Sequence, residues 1–324
     1  MNNNESTADV VVIGAGPSGA LVSALLNQQG WRVTVLEGQQ FPRFSIGESL
    51  LPQCMHFLAQ AGLDKVVDEQ AQALGFQFKD GAAFHFNGVD TAIDFTDKFS
   101  AGRGTTYQVK RAQFDKLLAD SAQQQGVTIH YGHKVTGFKS QADGVTLAVS
   151  AAAGEYQLHT RFVLDASGFG RVLPRLLQLE KPSSLPTRTA HFCHINDGIR
   201  DANFDRNKIL ISVHPRQRDI WYWLIPFADG TASLGVVGKP ELFDAKLNGE
   251  ENLWQQVQQE PNLARLLANA KPPARGLTRT DPARARTGLR HGAADDRAPP
   301  SISPVRRGSA RRRSPSAARH RRHP

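Results

Sequence analysis

Ala8-Asp9-Val10-Val11-Val12-Ile13-Gly14-Ala15-Gly16-Pro17-Ser18-Gly19 is the stretch that decides the fold of this chain. Ala8 to Ile13 is a short apolar run of the kind buried on both faces of a parallel sheet. The glycines at 14, 16 and 19 form G-x-G-x-x-G, with Pro17 and Ser18 inside it, and Ala20 to Gln29 reads as a helix. Arg32 to Leu36 reads as a second strand, which ends on Glu37. Glycines there let the backbone turn tightly and approach a pyrophosphate, and the helix N-terminus offers it N–H donors. A carboxylate at 37 is placed to take both hydroxyls of an adenosine ribose. The unit predicts dinucleotide binding and fits FAD or NAD equally.

Three later segments favour FAD. Pro42-Arg43-Phe44-Ser45-Ile46-Gly47-Glu48-Ser49 resembles the P-R-x-x-x-G-E-S stretch of flavin-dependent halogenases and geranylgeranyl-reductase-like flavoproteins. Arg111-Ala112-Gln113-Phe114-Asp115-Lys116-Leu117-Leu118 resembles the R-x-x-F-D-x-x-L helix of the aromatic-hydroxylase flavoproteins. Phe162-Val163-Leu164-Asp165-Ala166-Ser167-Gly168 resembles the strand and D-A-S-G turn that brings the chain back to the cofactor. The resemblance implies FAD contacts from Gly14, Gly16, Pro17, Ser18, Gly19, Glu37, Arg43, Gly47, Glu48, Ser49, Arg111, Asp165 and Gly168.

Trp221-Tyr222-Trp223-Leu224-Ile225-Pro226 narrows the resemblance. On a strand Trp221, Trp223 and Ile225 share one face, a stiff apolar wall. W-x-W-x-I-P resembles the motif of flavin-dependent halogenases of the tryptophan-halogenase type, where it keeps the organic substrate away from the flavin. Gly75-Phe76-Gln77-Phe78-Lys79-Asp80-Gly81-Ala82 looks like that family's G-F-x-x-K-x-G-A segment, with its essential lysine. A lone lysine of this kind is usually a snorkelling surface residue. Between phenylalanines on a partly buried strand, desolvation makes its neutral amine more accessible. The resemblance therefore assigns catalysis to Lys79, Trp221, Trp223, Ile225 and Pro226. It implies reduced FAD, dioxygen and chloride or bromide as reactants, with hypohalous acid passed to Lys79 and on to an electron-rich aromatic. That substrate is a small molecule or carrier-bound. One nucleotide fingerprint implies that a separate flavin reductase supplies the reduced cofactor. A flavin monooxygenase or geranylgeranyl-reductase-like enzyme, and a non-catalytic remnant, remain alternatives.

The fold expected is mixed α/β: a Rossmann-like FAD-binding domain of the glutathione-reductase/aromatic-hydroxylase type, with an inserted β-rich substrate domain. The FAD domain spans 8–180, with substrate-side strands inserted at about 74–95, and 186–271 supplies the rest of the substrate-side sheet and its helices. Strands are expected at Ala83–Phe86, Lys208–Val213, Asp219–Phe227 and Thr231–Val237, and helices at Glu250–Gln259 and Asn262–Ala270.

The whole chain of 324 residues has a formal charge of +9. Residues 272–324 hold fourteen Arg, three Asp and neither Lys nor Glu, so +11 lies there and −2 on what precedes. They also carry eight of the 18 prolines and no aromatic residue, which predicts a disordered Arg/Pro-rich tail. Without stacking aromatics that tail is not expected to bind nucleic acid. Its composition suits a shifted reading frame, and the family's later flavin and halide segments have no counterpart, which predicts weak FAD binding and an inactive chain. There is no apolar run long enough to span a membrane and no leader, so a cytoplasmic protein is expected. Cys54 and Cys193 are expected as reduced thiols. In His191-Phe192-Cys193-His194 strand alternation separates His194 from the other two, so no metal site is expected.

Overall fold

The computed structural model describes residues 8–271, so the expectations for the Arg-rich tail lie outside the described residues. The chain begins with β1 (Val10–Ile13), α1 (Pro17–Gln28) and β2 (Val33–Glu37). Next come α2 (Pro52–Gln60), α3 (Asp64–Gln70), β3 (Gln77–Lys79), β4 (Gly81–Phe86), β5 (Val89–Asp94) and β6 (Thr106–Gln108). After them lie α4 (Arg111–Gln124), β7 (Thr128–Tyr131), β8 (Lys134–Gln141), β9 (Gly144–Ala151), β10 (Gly154–Thr160), β11 (Phe162–Asp165) and α5 (Val172–Leu176). The last described elements are β12 (Thr189–Asn196), β13 (Lys208–Val213), β14 (Trp221–Pro226), β15 (Thr231–Gly238), α6 (Gly249–Val257) and α7 (Pro261–Leu266).

A parallel sheet in the order β11-β1-β2-β7 carries the nucleotide fingerprint, and its fold class is the mixed α/β one expected. Alternation on β1 explains its two-sided burial: Val10 and Val12 enter a core shared with α1 and α4, while Val11 and Ile13 face Leu147 and Val149 of β9. That second face is covered by the antiparallel meander β8-β9-β10, which sequence reading did not resolve because its outward residues are polar and its inward ones few.

The larger sheet has six strands in the order β12-β15-β14-β13-β4-β5. One face packs on α6 and α7 through Tyr222, Leu224, Leu253 and Leu263. The opposite face bears Trp223, Ile225 and Val237. Helix α6 begins with a complete capping box, Asn248 and Glu251 each accepting the other's backbone N–H, which fixes its start. Helix α7 ends at Leu266, short of the expected Ala270.

One local expectation fails. β3 does not join the large sheet with the rest of 74–95; it pairs antiparallel with β6, Lys79 opposite Thr106. Between them Asp80 donates its N–H to Asn207, and Gly81 starts β4 against Lys208 of β13. Gly81 is required there, because a Cβ would lie 2.2 Å from the Ile93 carbonyl oxygen. The strand is thus broken between Lys79 and Gly81.

Candidate active site

The nucleotide cradle is built where β1 and β2 end. Gly14 has φ +98, and a Cβ on it would lie 2.7 Å from the Ala166 carbonyl oxygen. Gly19 lies against the turn itself, so a Cβ would fall 1.9 Å from the Gly14 carbonyl oxygen. Helix α1 starts at Pro17 with Gly16 as N-cap, and no side chain caps it. Its first-turn N–H groups, including that of Ser18, therefore form a site for an anion. Glu37 closes the cradle: Oε2 accepts the Ala15 N–H at 2.9 Å and Oε1 the Gln39 N–H at 2.9 Å. Each oxygen keeps a lone pair for a ribose hydroxyl.

Arg43 borders the same space. Its Nη2 is the nearest atom to a Cβ built on Gly16, at 3.6 Å. It pairs with Asp115 at 3.1 Å, approaches Glu37 at 4.0 Å and covers the Phe41 ring. Asp115 also grips Arg111 at both oxygens, 2.7 and 3.0 Å away, an i,i+4 pair on α4. Arg111 then donates Nη1–H to the Ile46 carbonyl, tying α4 to the 43–50 loop. Gly47 is needed there at φ +102, since a Cβ would lie 2.9 Å from the Arg111 guanidinium. Asp165 holds its own turn, accepting the N–H groups of Ser167 and Leu173, with Gly168 at φ +55.

The same loop reaches the other half of the site. Ser49 Oγ and the Leu50 carbonyl accept hydrogen bonds from Lys79 Nζ at 2.8 and 2.7 Å. Lys79 is only 2% exposed. Burial pushes its pKa down to about 8, because the ammonium form loses hydration that two hydrogen bonds only partly replace. The apolar cover differs from the expected one: Phe78 points away and is exposed, and Phe95 faces Nζ at 5.2 Å from its centroid.

Glu48 points instead to the large sheet, where His194 Nε2 lies 2.6 Å from its Oε1. Its Oε2 is buried without a partner among the described residues. In cross-strand register His194, Ser233 and Ile225 form one row, and Phe192, Gly235 and Trp223 the next. Phe44 stacks on Phe192, and Ile46 packs against the cluster of Trp223 and Ile225. Trp223 donates Nε1–H to Ser233 Oγ, and its indole lies flat over Gly235, where a Cβ would sit 2.2 Å from the ring. Trp221 is 6.0 Å from Trp223 between centroids but is 38% exposed, so the two tryptophans are unequal members of the wall. Pro226 ends β14 and is buried, but opposite Ala232 it lies on the α6–α7 face and not in the tryptophan wall where it was expected.

Sequence reading missed Asp115, His194, Ser233 and Gly235. Asp115 stood in a quoted motif without a role, and His194 was weighed only as a metal ligand. A glycine within the apolar β15 run was the available signal for Gly235. No cluster able to hold a metal occurs among the described residues, and no described helix is long and apolar enough to cross a membrane. Replacing His194 by alanine would leave both oxygens of a buried carboxyl unpartnered. The expected cost is about 2 kcal/mol, read from denaturant unfolding, with a smaller loss for His194→Gln.

The family model described as an FAD binding domain matches residues 7–232. The chain is 29% identical over 268 residues to the 1H-pyrrole-2-carbonyl-[peptidyl-carrier protein] brominase of Pseudoalteromonas luteoviolacea, covering 81% of this chain and 63% of the relative. Among solved structures, a flavoprotein/dehydrogenase from Cytophaga hutchinsonii matches with TM-score 0.75 and 40% identity over 81% of this chain and 64% of that one. The myxobacterial chondrochloren halogenase, an FAD-dependent halogenase, matches with TM-score 0.73 and 30% identity, covering 83% and 62%. The chain spans a little under two thirds of the length of these relatives.

Proposed function

Because this chain belongs to the FAD-binding domain family, with flavin-dependent halogenases as relatives, we propose that it halogenates an electron-rich aromatic through Lys79. The observation that carries the proposal is a buried amine with a pKa of about 8, held by the loop that also binds the tryptophan-bearing sheet. The cradle suits FAD: the glycine turn admits no Cβ, the α1 N-terminus is uncapped, and Glu37 has lone pairs to spare. When bound, reduced FAD supplies hypohalous acid from dioxygen and chloride or bromide.

The chain's own residues do the rest. Gly14, Gly16, Pro17, Ser18 and Gly19 seat the pyrophosphate and Glu37 the ribose. Arg43 and Arg111 hold their loop through Asp115. Trp223 and Ile225, with Trp221 at the rim, keep the aromatic away from the cofactor, so ring hydroxylation is prevented by exclusion, while Pro226 ends the strand from the opposite face. The neutral Lys79 amine attacks the halogen of hypohalous acid. The oxygen–halogen bond breaks, and hydroxide leaves with an amine proton as water. The haloamine delivers the halogen to the ring, and the ring proton is lost as the amine is regenerated.

A separate reductase supplies reduced FAD, in keeping with a single dinucleotide fingerprint. The substrate is an aromatic presented on a carrier protein or free. The carrier-bound form is favoured by the pyrrolyl-carrier brominase among the relatives.

The test is direct. The purified chain is given FAD, a flavin reductase, bromide and air with an electron-rich phenol or pyrrole, and products are read by mass spectrometry. A bromine isotope doublet is expected, absent without bromide. One added oxygen regardless of halide would instead identify a monooxygenase. Failure to bind FAD would identify a remnant.

A further inference from the structure

The face of the large sheet that bears the tryptophans continues past them. Directly opposed strand residues share a face. Trp223 therefore continues through Ile211 and Phe84 to Thr91, and Trp221 through Val213 and Phe86 to Val89. These six residues beyond the tryptophans line an almost wholly apolar cavity of about 410 Å³. The tryptophans stand between it and the 43–50 loop, which packs on the same face from the side of β12 and β15.

The cavity lies too far from Lys79 for one small aromatic ring to occupy both. Its lining on β4 runs from Phe84 to Phe86, three to five residues or about 10–16 Å along the strand from Gly81 at ~3.3 Å per residue, and Lys79 belongs to β3 across the break before Gly81. A track joins them. On the edge strand β5, Val89, Thr91 and Ile93 alternate onto the tryptophan face, with Val89 67% and Ile93 54% exposed. The next residue in that alternation is Phe95, the ring over Lys79 Nζ. Asp90 and Asp94 fall on the other face, Asp90 bonded to His85.

The cavity rim carries a cation. The Arg218 guanidinium lies over the Phe86 ring, 5.2 Å from its centroid, and has no carboxylate partner among the described residues. An apolar seat, an unpaired guanidinium at one end, an apolar track and a reactive amine at the other describe a linear ligand with an anionic end.

We propose that this face binds the phosphate-ended thioester arm of a carrier protein, with the phosphate at Arg218, the arm in the cavity and along β5, and the aromatic acyl group at Lys79. This inference rests on the halogenase reading for its chemistry, but it can be tested by binding alone. Charge complementarity selects the occupant: a neutral apolar segment leaves Arg218 unanswered, whereas a phosphate meets it.

The probe is the pyrrole-2-carboxamide of the amino analogue of pantetheine 4′-phosphate, with NH in place of the thioester sulfur, titrated into the full chain by calorimetry and by tryptophan fluorescence, since Trp221 borders the cavity. The phosphorylated probe is expected to bind about tenfold tighter than its dephosphorylated form, and Arg218→Ala to erase that difference. Val89→Asp and Ile93→Asp, both at exposed positions, are expected to weaken both probes about tenfold without changing the melting temperature. Wild-type affinity in all three variants, or no binding of either probe, would overturn the proposal. The latter is the result expected if residues 272–324 or a second copy of the chain cover this face. A chain that brominates a free phenol but ignores the probe defeats this inference alone. A chain that binds the probe as described but transfers no halogen defeats the halogenase reading alone.

Discussion

Replacing Lys79 by methionine is expected to abolish halogen transfer while leaving FAD affinity unchanged. Methionine fills a similar volume but has no N–H for the halogen to replace, and its thioether would be oxidised to the sulfoxide instead of passing the halogen on, so turnover should fall by at least about a thousandfold. The pH profile of the wild-type chain should report the same group. In the proposed mechanism the neutral amine is the nucleophile, so the rate should rise with pH through about 8.

Stability should move the opposite way from activity. The ordinary lysine value is 10.5, and in the folded chain it is about 8. Below pH 8 both folded and unfolded chains hold the proton, and the folded state bears the full desolvation cost, about 3 kcal/mol. Between 8 and 10.5 the unfolded state binds more protons, so wild-type stability rises with pH across that window. Lys79→Met should therefore stabilise most below pH 8, offset in part by the lost bonds to Ser49 and Leu50, and the gain should fade by pH 10.5. Urea unfolding at pH 7 and pH 10 measures it. An equal effect at both pH values would show that the buried ammonium is not the source.

Gly19→Ala carries the second large effect. The added methyl would start 1.9 Å from the Gly14 carbonyl oxygen and 2.9 Å from its carbon, with the Ala166 methyl at 3.4 Å on another side. Helix and turn must separate, and the uncapped first turn of α1 then no longer faces the pyrophosphate. FAD affinity is expected to fall by about a hundredfold or more, measured by quenching of flavin fluorescence. Gly30→Ala serves as the contrast. Nothing lies within 4 Å of its Cβ, so although its φ of +85 costs stability, the cofactor affinity should hold.

The sequence alone determined the nucleotide half of this protein. A parallel strand, a turn only glycine can make and a helix with a free N-terminus are local requirements, written in adjacent residues from Val10 to Glu37. Alternation on a strand is local too, so the shared face of Trp221, Trp223 and Ile225 was legible, as was the separation of His194 from Cys193. What tertiary structure decided were contacts between segments far apart in the chain. Nothing near Lys79 in sequence announces Ser49, Leu50 or Phe95, yet those residues bury it and lower its pKa. His194 acquires its role only because Glu48, 146 residues earlier, is brought against it. Position on the sheet likewise decides the cavity at Phe84 and Phe86, since three strands, β13, β4 and β5, must be in register before it exists. A lowered amine pKa and a ligand cavity both arise from excluding water. Water is excluded by whatever segments happen to meet in space, and no stretch of sequence specifies that by itself.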